Sequence, residues 1–236
     1  MFRTRLLLLL LCLSALGRAA SAQDKPKTKV VLYKDRIAAQ WDTVNCVKNV
    51  LKANPLLFFR GEIPIYYERA LSSRLSAELA VGLTYRNYIG LNFTGDDVDD
   101  FSRGTELIAK PSFHGGFRYY MADHLEPEGG YVQVEFAYLN FTKNITIKDS
   151  TGQFTDVKLK DERIFNDVRL YIGYQKLSGT SNWLFDVYGG VALRSRSLTT
   201  VEETFNPTAS HWDYAVKEDK DVVPAFFLGV KVGMGW

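Results

Sequence analysis

The side chains best suited to proton-transfer chemistry are three histidines, His114, His124 and His211. A hydrolase acting on an acyl chain needs a nucleophile, a base within reach of it and a carboxylate that orients the base. Ser112 stands two positions before His114 in an alternating stretch. Two residues so spaced share a strand face, which does not by itself make a nucleophile–base pair. His114 therefore reads first as a hydrogen-bonding group of a polar face. His124 falls in a short turn and His211 in a polar loop. The chain carries no Gly-x-Ser-x-Gly, no His-Glu-x-x-His and no phosphate loop. No catalytic, cofactor-binding or metal-binding residue is assigned, and no cofactor is expected. The run Asp96-Asp97-Val98-Asp99-Asp100 offers oxygen ligands for a hard cation but lacks the spacing of a calcium loop, so a solvated loop is the expectation.

What the sequence does repeat is a charge pattern. Glu68, Glu78, Arg86, Lys110, His114, Arg118, Glu135, Asp167, Arg169, Asp186, Arg194 and Lys231 all sit on the polar side of period-two stretches, interspersed with Gly and Ala. Trp183, Phe185, Val187, Gly189, Val191 and Leu193 form one face of a stretch whose other face holds Asp186, Tyr188, Gly190 and Arg194. Phe226, Leu228, Val230, Val232, Met234 and Trp236 alternate with Phe227, Gly229, Lys231, Gly233 and Gly235. Similar alternation covers 75–86, 131–138 and 167–175, with weaker versions at 48–59, 62–71 and 107–121. That predicts eight strands. The connections at 71–74, 123–129 and 178–182 are short; those near 90–106, 148–162 and 197–221 are longer and polar. Only the connection at Arg60-Gly61-Glu62 is short on the long-loop side.

The elements ahead of these strands read differently. Arg3 and Arg5, the apolar run Leu6–Leu16 and Ala20-Ser21-Ala22 predict a signal peptide over 1–22, followed by a lead-in over 23–43 and a domain over 44–236. Cleavage before Gln23 removes three of the 29 basic residues and leaves a net charge of about −1. So balanced a chain is not a nucleic-acid binder. Cys46 is then the one cysteine left, which excludes an internal disulfide.

Strands that alternate strictly, with turn lengths segregated to two ends, predict an all-β fold: an eight-stranded antiparallel up-and-down transmembrane β-barrel. A soluble lipocalin-like barrel has the same strand number but turns its apolar face inward. Mixed charges that can fill a narrow lumen, and aromatics near the ends of the apolar faces, favour the membrane orientation. On that assignment Val230→Arg is expected to cost about 2–4 kcal/mol at the bilayer midplane, and Gly233→Ala to matter less for lipid insertion.

The run Val47-Lys48-Asn49-Val50-Leu51-Lys52-Ala53-Asn54-Pro55-Leu56, followed by Ile65-Tyr66-Tyr67-Glu68-Arg69-Ala70-Leu71 and Leu75-Ser76-Ala77-Glu78-Leu79, resembles small eight-stranded outer-membrane β-barrel proteins of Bacteroidota, of OmpA/OmpX-like architecture. The resemblance implies an outer-membrane location with both ends periplasmic. It implies a role for Trp236 as the terminal aromatic read by the barrel-assembly machinery, and it transfers no catalytic residue. The expected partners are outer-membrane lipid and lipopolysaccharide, the assembly machinery, and an extracellular ligand of the loops. The expected function is structural, adhesive or envelope-interacting. A lipid-modifying enzyme and a lipocalin-like binder stand as alternatives.

Overall fold

A computed structural model describes residues 46–88, 101–178, 181–207 and 211–236. The chain divides into Met1–Arg36 and Ile37–Trp236, and every described residue lies in the second unit. The signal peptide, the lead-in and the acidic run at 96–100 lie outside the described residues.

The described chain is all-β apart from one helical turn. Its elements are β1 (Asn49–Ala53), α1 (Pro55–Phe58), β2 (Glu62–Ala70), β3 (Leu75–Thr84), β4 (Thr105–Ile108), β5 (Lys110–Tyr120), β6 (Gly129–Lys148), β7 (Phe154–Leu177), β8 (Trp183–Asn206) and β9 (His211–Gly235). All nine strands belong to one antiparallel sheet. Neighbours run β4-β6-β5-β3-β2-β1-β9-β8-β7, and pairing of β6 with β7 closes the sheet into a ring. The expected count of eight is corrected to nine. The added strand, β4, precedes β5 by a single residue, Ala109, and pairs along β6 just beyond it: Ile108 faces Thr142 and Phe113 faces Tyr138.

Alternation sets which face lies inside. In β2 every second side chain from Glu62 to Ala70 is buried and the others are exposed. Leu79, Phe117, Ile172, Leu193 and Leu228 point outward and stay 61, 64, 64, 64 and 80% exposed, while Glu68, Arg118, Asp167 and Arg194 are fully buried. The ring is therefore apolar outside and charged inside, the reverse of a water-soluble sheet protein.

Two expectations are corrected by the local chemistry. The first strand was expected over 48–59, but β1 ends at Ala53. Asn54 caps α1, its side chain accepting from the Leu56 amide at 3.1 Å, and Pro55 occupies the first turn, where a missing N–H costs nothing. Leu57 of that turn is buried with Tyr66 and Ala80 inside the ring. The stretches 148–162 and 197–221 were expected to be loops, yet β6 and β7 leave only residues 149–153 between them, and β8 and β9 pair as far as Asn206 and His211. Cross-strand partners hold these extensions: Arg196 lies opposite Asp221 and bonds it through Nε at 2.7 Å, and the Phe205 and Trp212 rings pack at 5.0 Å.

Pro64 sits within β2 at no cost to the ladder on one side. β1 reaches only to Ile65, opposite Ala53, so the absent N–H of Pro64 falls beyond the last β1 partner.

Candidate functional site: the charged interior

Strands on opposite sides of the ring send their polar side chains to the same place. Arg118 of β5 is the centre. Its Nε donates to Gln133 at 3.0 Å, Nη1 to Glu68 at 3.3 Å, and Nη2 to Glu78 at 3.2 Å and Asp186 at 3.0 Å. The guanidinium lies 3.8 Å above the Tyr131 ring. Lys52 of β1 bonds Glu68 at 2.6 Å, Gln175 at 3.2 Å and also Glu78. Lys231 of β9 reaches Glu78 from the other side, 3.9 Å from the Tyr66 ring centre.

A second group lies further along the interior. His114 places Nε2 on Glu62 and Nδ1 on Glu135, the latter at 3.1 Å. Both ring nitrogens face carboxylate oxygens, and only the imidazolium donates from both. Arg169 bonds Glu135 at 3.1 Å and Asp167 at 2.7 Å, and Arg194 grips Asp167 with Nε and Nη2, both at 2.8 Å. Gln133 joins the two groups, its amide donating to Glu78 at 3.0 Å and Glu135 at 3.2 Å. With His114 protonated, six carboxylates (Glu62, Glu68, Glu78, Glu135, Asp167, Asp186) meet six cations (Lys52, His114, Arg118, Arg169, Arg194, Lys231). Charges this far from water persist only when paired and hydrogen-bonded, which these are.

Apolar layers close the network at both ends. Val47, Val50, Leu177 and Leu184 cluster on the side of the short turns, and Leu139, Phe141 and Phe165 on the side of the long hairpins. Asn54, at the head of α1, reaches across to donate to the Tyr188 hydroxyl at 2.7 Å.

Ten of the twelve charged residues singled out in the sequence meet in this network. Arg86 lies past the end of β3 and packs over Tyr88 and Phe101 at 5.3 and 4.8 Å. Lys110 opens β5, half-buried, with its carbonyl accepting from Thr84 at 3.1 Å. Lys52 and Glu62 belong to the network but were missed, the first in a strand too short to show alternation and the second in what read as a connection. The buried tyrosines Tyr120, Tyr131, Tyr171 and Tyr188 lie on the polar faces that alternation assigns them but were not counted with the charged cluster, and Tyr66 was not assigned to a face.

Ser112 and His114 do not form a nucleophile–base pair. The Ser112 hydroxyl is buried with no hydrogen-bond partner, and both His114 nitrogens are held by carboxylates. His124 is exposed and His211 bonds its own neighbour Asp213 at 2.7 Å. Among the described residues no cluster of three metal-binding side chains occurs. Trp236 is 58% exposed, 6.4 Å from the Tyr67 ring, and its backbone exchanges hydrogen bonds with Asn49 at 2.9 and 3.1 Å, joining the last residue to β1. No protein-family model, no curated protein and no solved structure matches this chain.

Proposed function

We propose that this protein is an integral outer-membrane β-barrel with an ion-paired, plugged lumen, exported by its signal peptide, whose long hairpins make contacts at the cell surface. The observation that carries the reading is a closed sheet with apolar side chains outside and paired charges inside. A ring of this kind has no unpaired backbone to expose to hydrocarbon, and its outer face is a surface that water does not favour. Tyr67, Tyr119, Tyr174, Trp183 and Trp236 stand exposed towards the short-turn end of that face, as an interfacial girdle requires. On this reading β2, β3 and β5–β9 span the bilayer, the short β1 closes the ring between β2 and β9, both chain ends are periplasmic, lipopolysaccharide surrounds the belt, and the assembly machinery reads Trp236.

The packed interior supports a structural or adhesive role over passage of solutes. It speaks against a lipocalin-like binder, which needs an apolar cavity where this ring holds ion pairs. It speaks equally against a hydrolase built on His114.

Heat-modifiable migration on cold SDS gels, with recovery in the outer-membrane fraction, is the expected result. A soluble protein with no mobility shift would overturn the membrane reading. Large ion-like conductance in a planar bilayer would overturn the plugged lumen.

A further inference from the structure

Beyond the Leu139–Phe141–Phe165 layer, the long hairpins and β4 enclose an open-mouthed cavity of about 790 Å³. Its position follows from parity. Lys143, Arg163 and Thr200 lie on the same faces as Phe141 of β6, Phe165 of β7 and Leu198 of β8, which packs against that layer, each two residues further out, and Asp161 lies four residues beyond Phe165. The cavity is thus a vestibule on the far side of that layer from the charged interior, open at the hairpin end.

Its wall chemistry selects a ligand class. The charged side chains on the wall already face counter-ions: Lys143 and Arg163 stand 3.8 and 3.9 Å from Asp161, Glu203 is 2.6 Å from Lys148, and Glu202 is 3.9 Å from Lys217. An ionic ligand would have to displace those partners or be desolvated without one. Ion-paired carboxylates and guanidinium groups still keep lone pairs and N–H groups for a neutral ligand. Ser102, Thr105, Thr200 and Thr204 add hydroxyls, and Phe101 adds one aromatic ring. The volume falls in the range of small-molecule sites, about 300–1,000 Å³.

We infer that this vestibule binds a neutral, hydroxyl-rich ligand of the saccharide class, its hydroxyls hydrogen-bonded by Thr200, Thr204 and the Asp161 cluster and one ring face against Phe101. The inference does not depend on the membrane reading, because the cavity is lined by the hairpin ends, β4 and the residues just before it.

The test uses the protein refolded in a zwitterionic detergent, since sugar-headed detergents would compete. Maltotriose and triacetylchitotriose are the probes; trigalacturonate and triglycine are the charged comparators. Saturation-transfer NMR and calorimetry should detect at least one neutral trisaccharide in preference to both comparators. Thr200→Val and Thr204→Val, isosteric changes on a solvent-facing wall, should each weaken it about three- to tenfold, and Phe101→Ala should abolish ring-proton saturation. Failure of both neutral probes at millimolar concentration would overturn the inference. So would preferred binding of a charged comparator, or neutral binding that all three substitutions leave unchanged. A mobility shift on cold gels, measured on the same samples, reports the membrane reading separately.

Discussion

Tyr188 of β8 lies directly across the ladder from Gly229 of β9, with its ring lying over the glycine so that a Cβ there would overlap it. Tyr131 stands in the same relation to Gly173, and Tyr171 to Gly190. Inside a narrow ring a tyrosine cannot extend towards the centre without striking the charged network, so it lies sideways over a neighbour that has no side chain. The hydroxyl then reaches a polar partner, Asn54 in the case of Tyr188. Gly229→Ala is expected to destabilise the fold by about 1–3 kcal/mol through overpacking. Gly189→Ala, whose added methyl meets the end of the Leu228 side chain on the outer face and stands in ordinary contact with the Phe227 carbonyl, is expected to be near neutral. Urea titrations of the two variants in lipid vesicles check the contrast, and equal effects would contradict it.

The same geometry bears on Gly233, whose place on the inner, polar face led to the expectation that Gly233→Ala matters less for lipid insertion than Val230→Arg. A Cβ there would overlap the carbonyl of Leu51, which β1 brings alongside β9 to close the ring. Loss of heat-modifiable folding in Gly233→Ala is the expected outcome, and normal migration would contradict the closure between β1 and β9.

The interior network predicts a large cost for removing one partner. Glu78 neutralises Lys52, Arg118 and Lys231, all buried with it. Glu78→Leu removes the carboxylate that Lys231 reaches and leaves Lys52 and Arg118 to share Glu68 and Asp186, one buried negative charge short, and is expected to cost about 3–5 kcal/mol. Glu106→Gln breaks an exposed pair with Lys158 and is expected to cost at most about 1 kcal/mol. Urea titrations of both variants measure the difference, and losses of equal size would contradict it.

How much of this was legible in the sequence depended on which solvent each residue meets. From Trp183 to Arg194 one face is apolar and exposed and the other meets the charged interior, so alternation is strict and the strand was plain. Beyond Ser195 that contrast fades. Thr199, Val201, Glu203 and Phe205 mix polar and apolar groups on one face, and the pattern read as a loop, although the cross-strand ladder continues to Asn206. Lys52 and Glu62 were hidden for another reason. β1 holds five residues before Asn54-Pro55 turns the chain, too few for alternation to register, and Glu62 follows the left-handed Gly61 that made its surroundings read as a turn. Which partners the charges choose is set by ring closure, which sequence spacing does not encode.

The turn between β6 and β7 gives a pH dependence away from the charged interior. Asp149 accepts from the Thr151 hydroxyl at 2.7 Å and from the Thr151 and Gln153 amides at 2.9 Å each. The hydroxyl bond first, and the Gln153 amide after it, hold the Asp149 carboxyl below the ordinary aspartate range. A carboxyl lowered on folding contributes stability above its unfolded pKa, near 3.9, and loses it as pH falls through the lower folded value. The Gln153 amide resonance should therefore titrate with a midpoint below about 3.9, and Asp149→Ala should abolish the titration. A midpoint at or above the ordinary value would contradict the turn.

Leu228 tests the solvent of the outer face itself. It is 80% exposed, and its outward neighbours along β9 are Phe226 and Val230. On a surface facing water, Leu228→Arg would be neutral or favourable, because it replaces exposed hydrocarbon with a hydrated charge. Facing the bilayer midplane, the same change should cost about 2–4 kcal/mol. The sign of the effect therefore distinguishes the two environments, whereas most substitutions alter only its size. Folding titrations into phosphatidylcholine vesicles should show the loss, and Lys176→Leu, near the aromatic edge beyond Tyr174, should show little. If Leu228→Arg folds as well as the unaltered chain, the apolar face does not meet lipid, and the ring's inverted pattern would need a protein partner to cover it.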